Sequence, residues 1–315
     1  ESDLEYSSLN KYALREIKGY VNVATSLHIF VVTTVCNMNC IYCQANNGIE
    51  CSHLIMNKDM AEKAVDVALQ SPERFLGFEF QGGEPLTNFE VIKHIVEYAE
   101  IHKGKHDITY TVVTNLTLLN DEMLEFFARY RFGISTSMDG NEKIHDKNRS
   151  YVDGTGTFKR VINAVDRVRK AGLQIGAIET TTRFSLNFPK EIVHSYIDMG
   201  FESIFIRPLT PLGKAAKSWG KIGYSPEEFI EFYHQALDEL IEINKKGRFI
   251  KEDHAAILLR KIRGDFMNYM ELRSPCGAGV GQLAYYADGN IFTCDEGRML
   301  HEMGQSAFQL GNVYN

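Results

Sequence analysis

What most constrains the fold of this chain is an alternation. Short apolar runs rich in β-branched and aromatic residues take turns with segments of helical periodicity. The runs cover Leu27–Thr34, Phe75–Gln81, Ile108–Thr114, Phe132–Met138, Leu173–Thr181 and Ser203–Leu209. Between them, Asn57 is placed to cap a helix that carries Ala61, Ala64, Val65 and Ala68 on one face. Further helices are predicted over 89–102, 121–129, 157–170 and 189–199. Strands joined by helical crossovers lie parallel, and right-handed crossovers curl the sheet toward a barrel. A closed barrel needs eight units, so these six predict an α/β fold with a partial (β/α)6 TIM-like barrel over 27–211. Residues 1–26 lead into it. A bridge over 212–272 follows, with long helices expected at 225–245 and 252–271, and 273–315 is β-rich.

Barrel chemistry sits at the C-terminal ends of the strands. Here the first strand runs into Cys36, the second into Gly82-Gly83-Glu84-Pro85 and the third into Thr114-Asn115. The fourth runs into Ser137-Met138-Asp139-Gly140, the fifth into Glu179-Thr180 and the sixth into Arg207-Pro208. Every polar or glycine-rich motif falls on one rim, which predicts one shared site.

Composition narrows the classes. The net charge is -7 and no basic run exceeds a pair, so no nucleic-acid partner is expected. No stretch approaches the roughly 20 apolar residues that cross a bilayer, and the first residues lack a signal-peptide core. We therefore expect a cytoplasmic protein with no membrane partner. Six cysteines in that reducing compartment predict metal ligation or catalysis rather than a disulfide framework.

Three of them, Cys36, Cys40 and Cys43, lie within eight residues of one loop. Three thiolates can hold three irons of a cubane cluster and leave the fourth open to an exogenous ligand. The competing account is a zinc site closed by Cys51 or His53. Zinc ligands usually come as pairs from two separated knuckles, which fits three thiols in one loop less well. Cys51 fits no pattern and is expected to be a small buried side chain.

The spacing Cys36-x3-Cys40-x2-Cys43, with Tyr42 before the third cysteine, resembles the signature of the radical S-adenosylmethionine (SAM) superfamily. The resemblance runs from about Leu27 to the end of the chain. It implies a [4Fe-4S] cluster whose open iron is chelated by SAM, with Tyr42 at the cofactor. Gly82-Gly83-Glu84-Pro85 resembles the family's GGEP motif: the glycines would let backbone approach the ligand, and Glu84 would accept from the ammonium group of SAM. The alternative for Glu84 is a residue that merely favours a helix N-terminus. Asn115, Ser137 and Asp139 resemble polar strand-end residues that reach the ribose and the methionine carboxylate. Ser137-Met-Asp139-Gly…His145-Asp146…Arg149 resembles a stretch common in peptide-modifying members, although Asp139, His145 and Arg149 could equally be turn and surface residues. Glu179, Arg183 and Arg207 are the rim candidates for contact with SAM or substrate.

Near the other end, Cys276-x12-Gly289-x4-Cys294 brackets a hairpin signal, Ala287-Asp288-Gly289-Asn290, between Leu-Ala-Tyr-Tyr and Ile-Phe-Thr-Cys. This resembles the opening of SPASM and twitch domains, which hold auxiliary [4Fe-4S] clusters in many radical SAM maturases. A plain hairpin with two unrelated cysteines is the alternative. No cysteine follows Cys294, and two thiolates do not fill four protein positions, so we read an incomplete segment of a longer domain. The functional expectation is a radical SAM peptide maturase that forms a crosslink or other modification, with a peptide substrate and an external electron donor such as flavodoxin or ferredoxin. Finer details resemble the maturases of His-Xaa-Ser peptide systems. The alternatives are an anaerobic sulfatase-type formylglycine maturase and a non-catalytic Fe–S or zinc protein. With 26 residues ahead of the first strand, leader recognition is expected from the barrel, the bridge, a separate protein or residues outside this sequence.

Overall fold

The computed structural model describes residues 11–13, 19, 24–45, 53–264 and 273–315. The six expected units are present: β1 (Leu27–Val31), α1 (Lys58–Ala68), β2 (Phe75–Gln81), α2 (Phe89–His102), β3 (Asp107–Val113), α3 (Asp121–Arg129) and β4 (Gly133–Ser137). They continue through α4 (Glu142–Asn148), α5 (Phe158–Lys170), β5 (Ile175–Thr180), α6 (Pro189–Asp198) and β6 (Ser203–Arg207). These six strands pair in sequence order, each parallel to the last. The fold is the expected partial barrel.

Local sequence accounts for the helix boundaries. Asn57 accepts from the Met60 amide at 2.8 Å and opens α1 as expected, and Ala61, Ala64, Val65 and Ala68 are its buried face. Helix α5 closes at Ala171, where Gly172 takes a positive φ of 74°. The first strand ends at Val31 rather than Thr34, because Thr33 leaves the β1–β2 ladder and bridges Ile55.

The two sheet faces differ in chemistry. On β2, Leu76, Phe78 and Phe80 are buried under the helices, while Gly77, Glu79 and Gln81 alternate onto the inner face and are half-buried. The outer core is aromatic: Phe30 lies 4.9 Å from Phe78 and 5.0 Å from Tyr285, and Phe80 stacks on Phe132 at 5.8 Å. Parallel sheets covered on both faces are usually apolar on both. This inner face carries Glu79, Gln81, Thr109, Thr111, Ser135 and Thr180 instead, which suits a polar ligand.

Beyond the barrel, α7 (Gly213–Ile222) precedes α8 (Pro226–Lys245), which opens on a capping box of Ser225 and Glu228. A two-residue strand β7 (Lys251–Glu252) extends the sheet beside β6, followed by α9 (Asp253–Ile262). The helix expected over 252–271 closes earlier, at Arg263, with Gly264 at a positive φ of 84°; residues 265–271 lie outside the described residues, as does Cys51. The expected hairpin forms as β8 (Gln282–Tyr285) and β9 (Asn290–Phe292), turning at Gly289 with φ 88°. α10 (Asp295–Glu302) and β10 (Gln309–Asn312) follow. The hairpin is not a detached unit: β8 pairs parallel to β1, giving one ten-stranded sheet ordered β10-β9-β8-β1-β2-β3-β4-β5-β6-β7. Among the described residues no helix is long and apolar enough to cross a membrane.

Candidate active site

The cysteine loop is clamped from four sides by main-chain hydrogen bonds and amide side chains. On the β2 side, Gly83 N donates to Thr33 O at 2.9 Å and Glu84 N to Val35 O at 2.8 Å. A Cβ on Gly82 would stand 2.4 Å from Thr33 O, and one on Gly83 would stand 2.5 Å from Val35 O. The close approach these glycines allow is to the chain entering the cysteine loop. On the β4 side, Asn39 N donates to Ser150 O at 2.8 Å and Ile41 N to Asn148 O at 2.9 Å. From α7, Lys214 N donates to Cys43 O at 2.9 Å. At the end of β3, Asn115 Nδ2 donates to Asn37 Oδ1 at 3.0 Å and stands 4.0 Å from Cys36 Sγ.

Glu84 is fully buried. Its Oε1 accepts from Leu86 N at 3.0 Å and Thr114 Oγ1 at 2.6 Å, and its Oε2 accepts from Asn115 N at 2.7 Å. Burial raises its pKa, and these donors draw it back. The carboxylate caps the short 3-10 turn Pro85–Asn88 and ties it to the end of β3. The cap is the helix N-terminus role weighed from sequence, and the bonds to Thr114 and Asn115 add a brace between two strand ends.

Beneath the loop lies a buried polar chain. Tyr42 Oη donates to Asp139 at 2.9 Å from either carboxylate oxygen, and accepts from Arg149 Nη1 at 2.8 Å. Burial pushes Asp139 up to about 6, against the pull of Arg149, and raises the Tyr42 phenol well above its usual range. His145 is buried too: the Asp139 amide donates to its Nδ1 at 3.4 Å and Nε2 meets Thr157 Oγ1 at 3.1 Å, so Nε2 carries the proton. Burial, with the charge of Arg149, holds His145 neutral. Arg149 and His145 are thus interior residues, not surface ones. Asn141 caps α4, His145 lies on that helix, and Arg149 is the residue that closes it.

The remaining candidates separate. Ser137 ends β4 in register with Ile178, on the inner face with Thr180 and Arg207. Arg207 also lies over the Phe205 ring at 5.5 Å. Glu179 shares the outer face of Ile206 and is fully buried, so it does not reach the inner rim as expected. It accepts from Thr181 Oγ1 at 2.7 Å, its Oε1 finds no partner among the described residues, and burial beside Asp139 raises its pKa well above the usual range. Burial there favours its protonated form. Arg183 is exposed and pairs with Glu228 at 3.4 Å.

The three thiols of the loop are half-buried and close enough that each of Cys40 and Cys43 adds to the upward shift of Cys36. Burial is the larger cause, lifting Cys36 to about 12 and Cys40 to about 11. Among the described residues no three His, Cys, Asp or Glu side chains converge on a point that would hold one metal ion. A cubane asks for something else, each thiolate on its own iron, and three thiols fixed in one clamped loop fit that demand. At the other end, Cys276 is exposed, and Cys294 is buried with its Sγ accepting from Gly297 N at 3.2 Å. Gly279 N donates to Thr293 O at 2.8 Å, joining the segment after Cys276 to the residue before Cys294.

A parallel partial barrel with three thiols on the loop after its first strand, and a polar inner face below them, defines an iron–sulfur barrel enzyme. The chain belongs to the radical SAM superfamily, whose family model matches residues 30–202. An uncharacterised protein of Methanocaldococcus jannaschii is 33% identical over 190 residues, covering 59% of this chain and 63% of its own. The cysteine-type anaerobic sulfatase-maturating enzyme of Clostridium perfringens strain 13 is 27% identical over 283 residues, covering 86% of this chain and 74% of that enzyme. Among solved structures, native anSMEcpe with bound AdoMet and the Cp18Cys peptide superposes with a TM-score of 0.78 at 24% identity, covering 92% of this chain and 78% of that one. Streptococcus suis SuiB bound to the precursor peptide SuiA superposes at 0.67 and 16% identity, covering 98% and 67%. The chain is thus a radical SAM enzyme, and membership implies a [4Fe-4S] cluster and SAM. It spans under two thirds of the archaeal relative and about three quarters of the sulfatase-maturating ones.

Proposed function

We propose that this protein is a peptide maturase in which Cys36, Cys40 and Cys43 hold the [4Fe-4S] cluster. The observation that carries the reading is the clamped three-thiol loop above a polar, half-buried inner barrel face. When bound, the cluster supplies one electron for the reductive cleavage of SAM into methionine and a 5′-deoxyadenosyl radical. The chain's own residues then divide the work. Gly82, Gly83, Glu84 and Asn115 hold the loop in place, while Tyr42, Asp139 and Arg149 form its buried floor. Ser137, Thr180 and Arg207 face the space where SAM and substrate would lie, and Arg207 offers a cation to a carboxylate there. Hydrogen abstraction from a substrate residue would lead to a crosslink, an epimerised centre or an oxidised side chain.

A peptide substrate is supported by what the similar proteins act on, since anSMEcpe and SuiB were each crystallised with a peptide. The second reading, formylglycine formation from Cys or Ser, is favoured by the sulfatase-maturating relatives. Cys276 and Cys294 would supply two thiolates to an auxiliary cluster site. Anaerobically reconstituted protein should release 5′-deoxyadenosine with dithionite and SAM, and Cys36→Ala/Cys40→Ala/Cys43→Ala should abolish it. Undiminished cleavage in that variant would sink the assignment. With the short peptide encoded beside the gene, loss of two hydrogens located at two residues supports crosslinking. Conversion of a sulfatase peptide to its aldehyde supports the second reading, and activity on a nucleoside alone refutes both.

A further inference from the structure

One helix stands out against the acidic character of the molecule. The net charge is -7, yet α7 (Gly-Lys-Ala-Ala-Lys-Ser-Trp-Gly-Lys-Ile) carries three lysines and no acid. It is not remote from the cluster loop, because its Lys214 binds Cys43 O through the main chain and Asn39 through the side chain. The charge of Lys214 also reaches the Cys40 thiol. Between α7, α4 and the loop after β5 lies a cavity of about 360 Å³. Its wall is apolar at Ile41, Phe184 and Ile222 and basic at Lys147 and Lys221. Ile41 stands between two of the three cysteines, so this hollow opens on the back of the cysteine loop. None of Ser137, Thr180 and Arg207 of the inner barrel face lines it.

We infer that this hollow, rimmed by Lys147 and Lys221, with Lys217 one helical turn before Lys221, is the docking surface for a small acidic one-electron carrier protein of the flavodoxin or ferredoxin type. The inference rests on the radical SAM reading above. Three observations favour this occupant. Lysines around an apolar floor match a partner whose acidic residues ring a partly exposed redox group. The surface adjoins the cysteine loop through Ile41 and Lys214, which keeps the electron's path short. It also leaves the polar inner face free for SAM and substrate. In the transfer, the carrier is oxidised by one electron as the enzyme's site is reduced by one, and no atom or proton crosses the interface.

Charge complementarity of this kind acts chiefly on the association rate and is screened by salt. The test uses reconstituted holoenzyme and a bacterial flavodoxin, comparing wild type with Lys147→Glu/Lys217→Glu/Lys221→Glu. Wild type should associate with reduced flavodoxin at a rate that falls as NaCl rises. The variant should associate about ten- to a thousandfold more slowly at low ionic strength. Dithionite-driven release of 5′-deoxyadenosine, which needs no protein partner, should be equal in the two. Association of the variant at the wild-type rate, or a wild-type rate indifferent to salt, overturns the proposal. So does loss of peptide binding with flavodoxin binding intact, which would assign the lysines to substrate. Absence of dithionite-driven cleavage in wild type would refute the radical SAM reading, and the flavodoxin binding comparison remains readable without it.

Discussion

The Tyr42 hydroxyl stands 2.9 Å from both oxygens of Asp139 and accepts from Arg149 at 2.8 Å, so a single phenol joins a buried acid to a buried base. It lies one residue before Cys43, which makes the floor of the cysteine loop an ionic structure rather than an apolar one. Removing one partner of a buried pair leaves the other charge uncompensated, at about 3–5 kcal/mol. Arg149→Met should lower stability on that scale, measured by urea unfolding of the cluster-free protein under reducing conditions. Tyr42→Phe, which removes only the linking hydroxyl, should cost about 1 kcal/mol. Equal costs for the two would show that Arg149 and Asp139 do not act as a pair.

Glu84 should behave as a brace. Glu84→Ala orphans the buried amides of Leu86 and Asn115, each worth about 1–3 kcal/mol. Unfolding should become easier by a few kcal/mol, and reconstituted protein should lose iron faster than wild type. Glu84→Gln keeps one acceptor oxygen and should lie between. A Glu84→Ala protein of normal stability and iron retention, with SAM affinity alone reduced, would return Glu84 to the ligand.

Gly83→Ala tests the contact between the second strand end and the cysteine loop. The added Cβ meets Val35 O and Thr34 O at 2.5 and 2.6 Å, both main-chain atoms that cannot swing aside. The loop should shift while the barrel core stays intact. Circular dichroism near wild type, with iron content cut several-fold after reconstitution, is the expected pair of results. Normal iron loading would mean that the loop tolerates the displacement.

His28 makes stability depend on pH. It is buried on β1, hydrogen-bonded through Nδ1 to Tyr285 Oη at 2.9 Å, and burial lowers its pKa from 6.5 to about 4. The folded protein therefore binds this proton less readily than the unfolded chain. The contribution is fully present above pH 6.5 and is lost as pH falls toward 4, on the order of 3 kcal/mol at most. His28→Phe/Tyr285→Phe replaces both partners by apolar rings of similar shape and should flatten unfolding free energy against pH in that window. An unchanged slope would place the dependence on other groups.

Much of this was legible in the sequence because periodicity and motif spacing are local. The six β/α units, the cap at Asn57, the Ala61-Ala64-Val65-Ala68 face and the Gly289 turn each follow from a few neighbouring residues. So does the three-thiol loop. What was not legible depends on which face of a strand a residue joins. Glu179 and Thr180 are adjacent, yet one is sealed under the helices and the other faces the inner barrel. A rim rule that works per strand end cannot separate them. The helices α4 and α7 were missed because α4 is only seven residues long and α7 buries only Gly213 and Ala215, so neither shows an apolar stripe. The role of the Gly82-Gly83 pair depends on a second chain segment about fifty residues earlier, visible only once both are in place.

The pairing of β8 with β1 has a consequence for the chain as it is made. The edge of β1 that β8 will cover waits for residues that leave the ribosome more than 250 positions later, as the His28–Tyr285 separation of 257 shows. Until then, one side of the strand that leads into the cysteine loop has no partner from β8. Pairings of such long sequence separation form late and slowly, and an open strand edge in the meantime is a template for other chains. Nascent chains halted before Tyr285 should therefore aggregate more readily than those halted after Asn290, once the hairpin can close that edge.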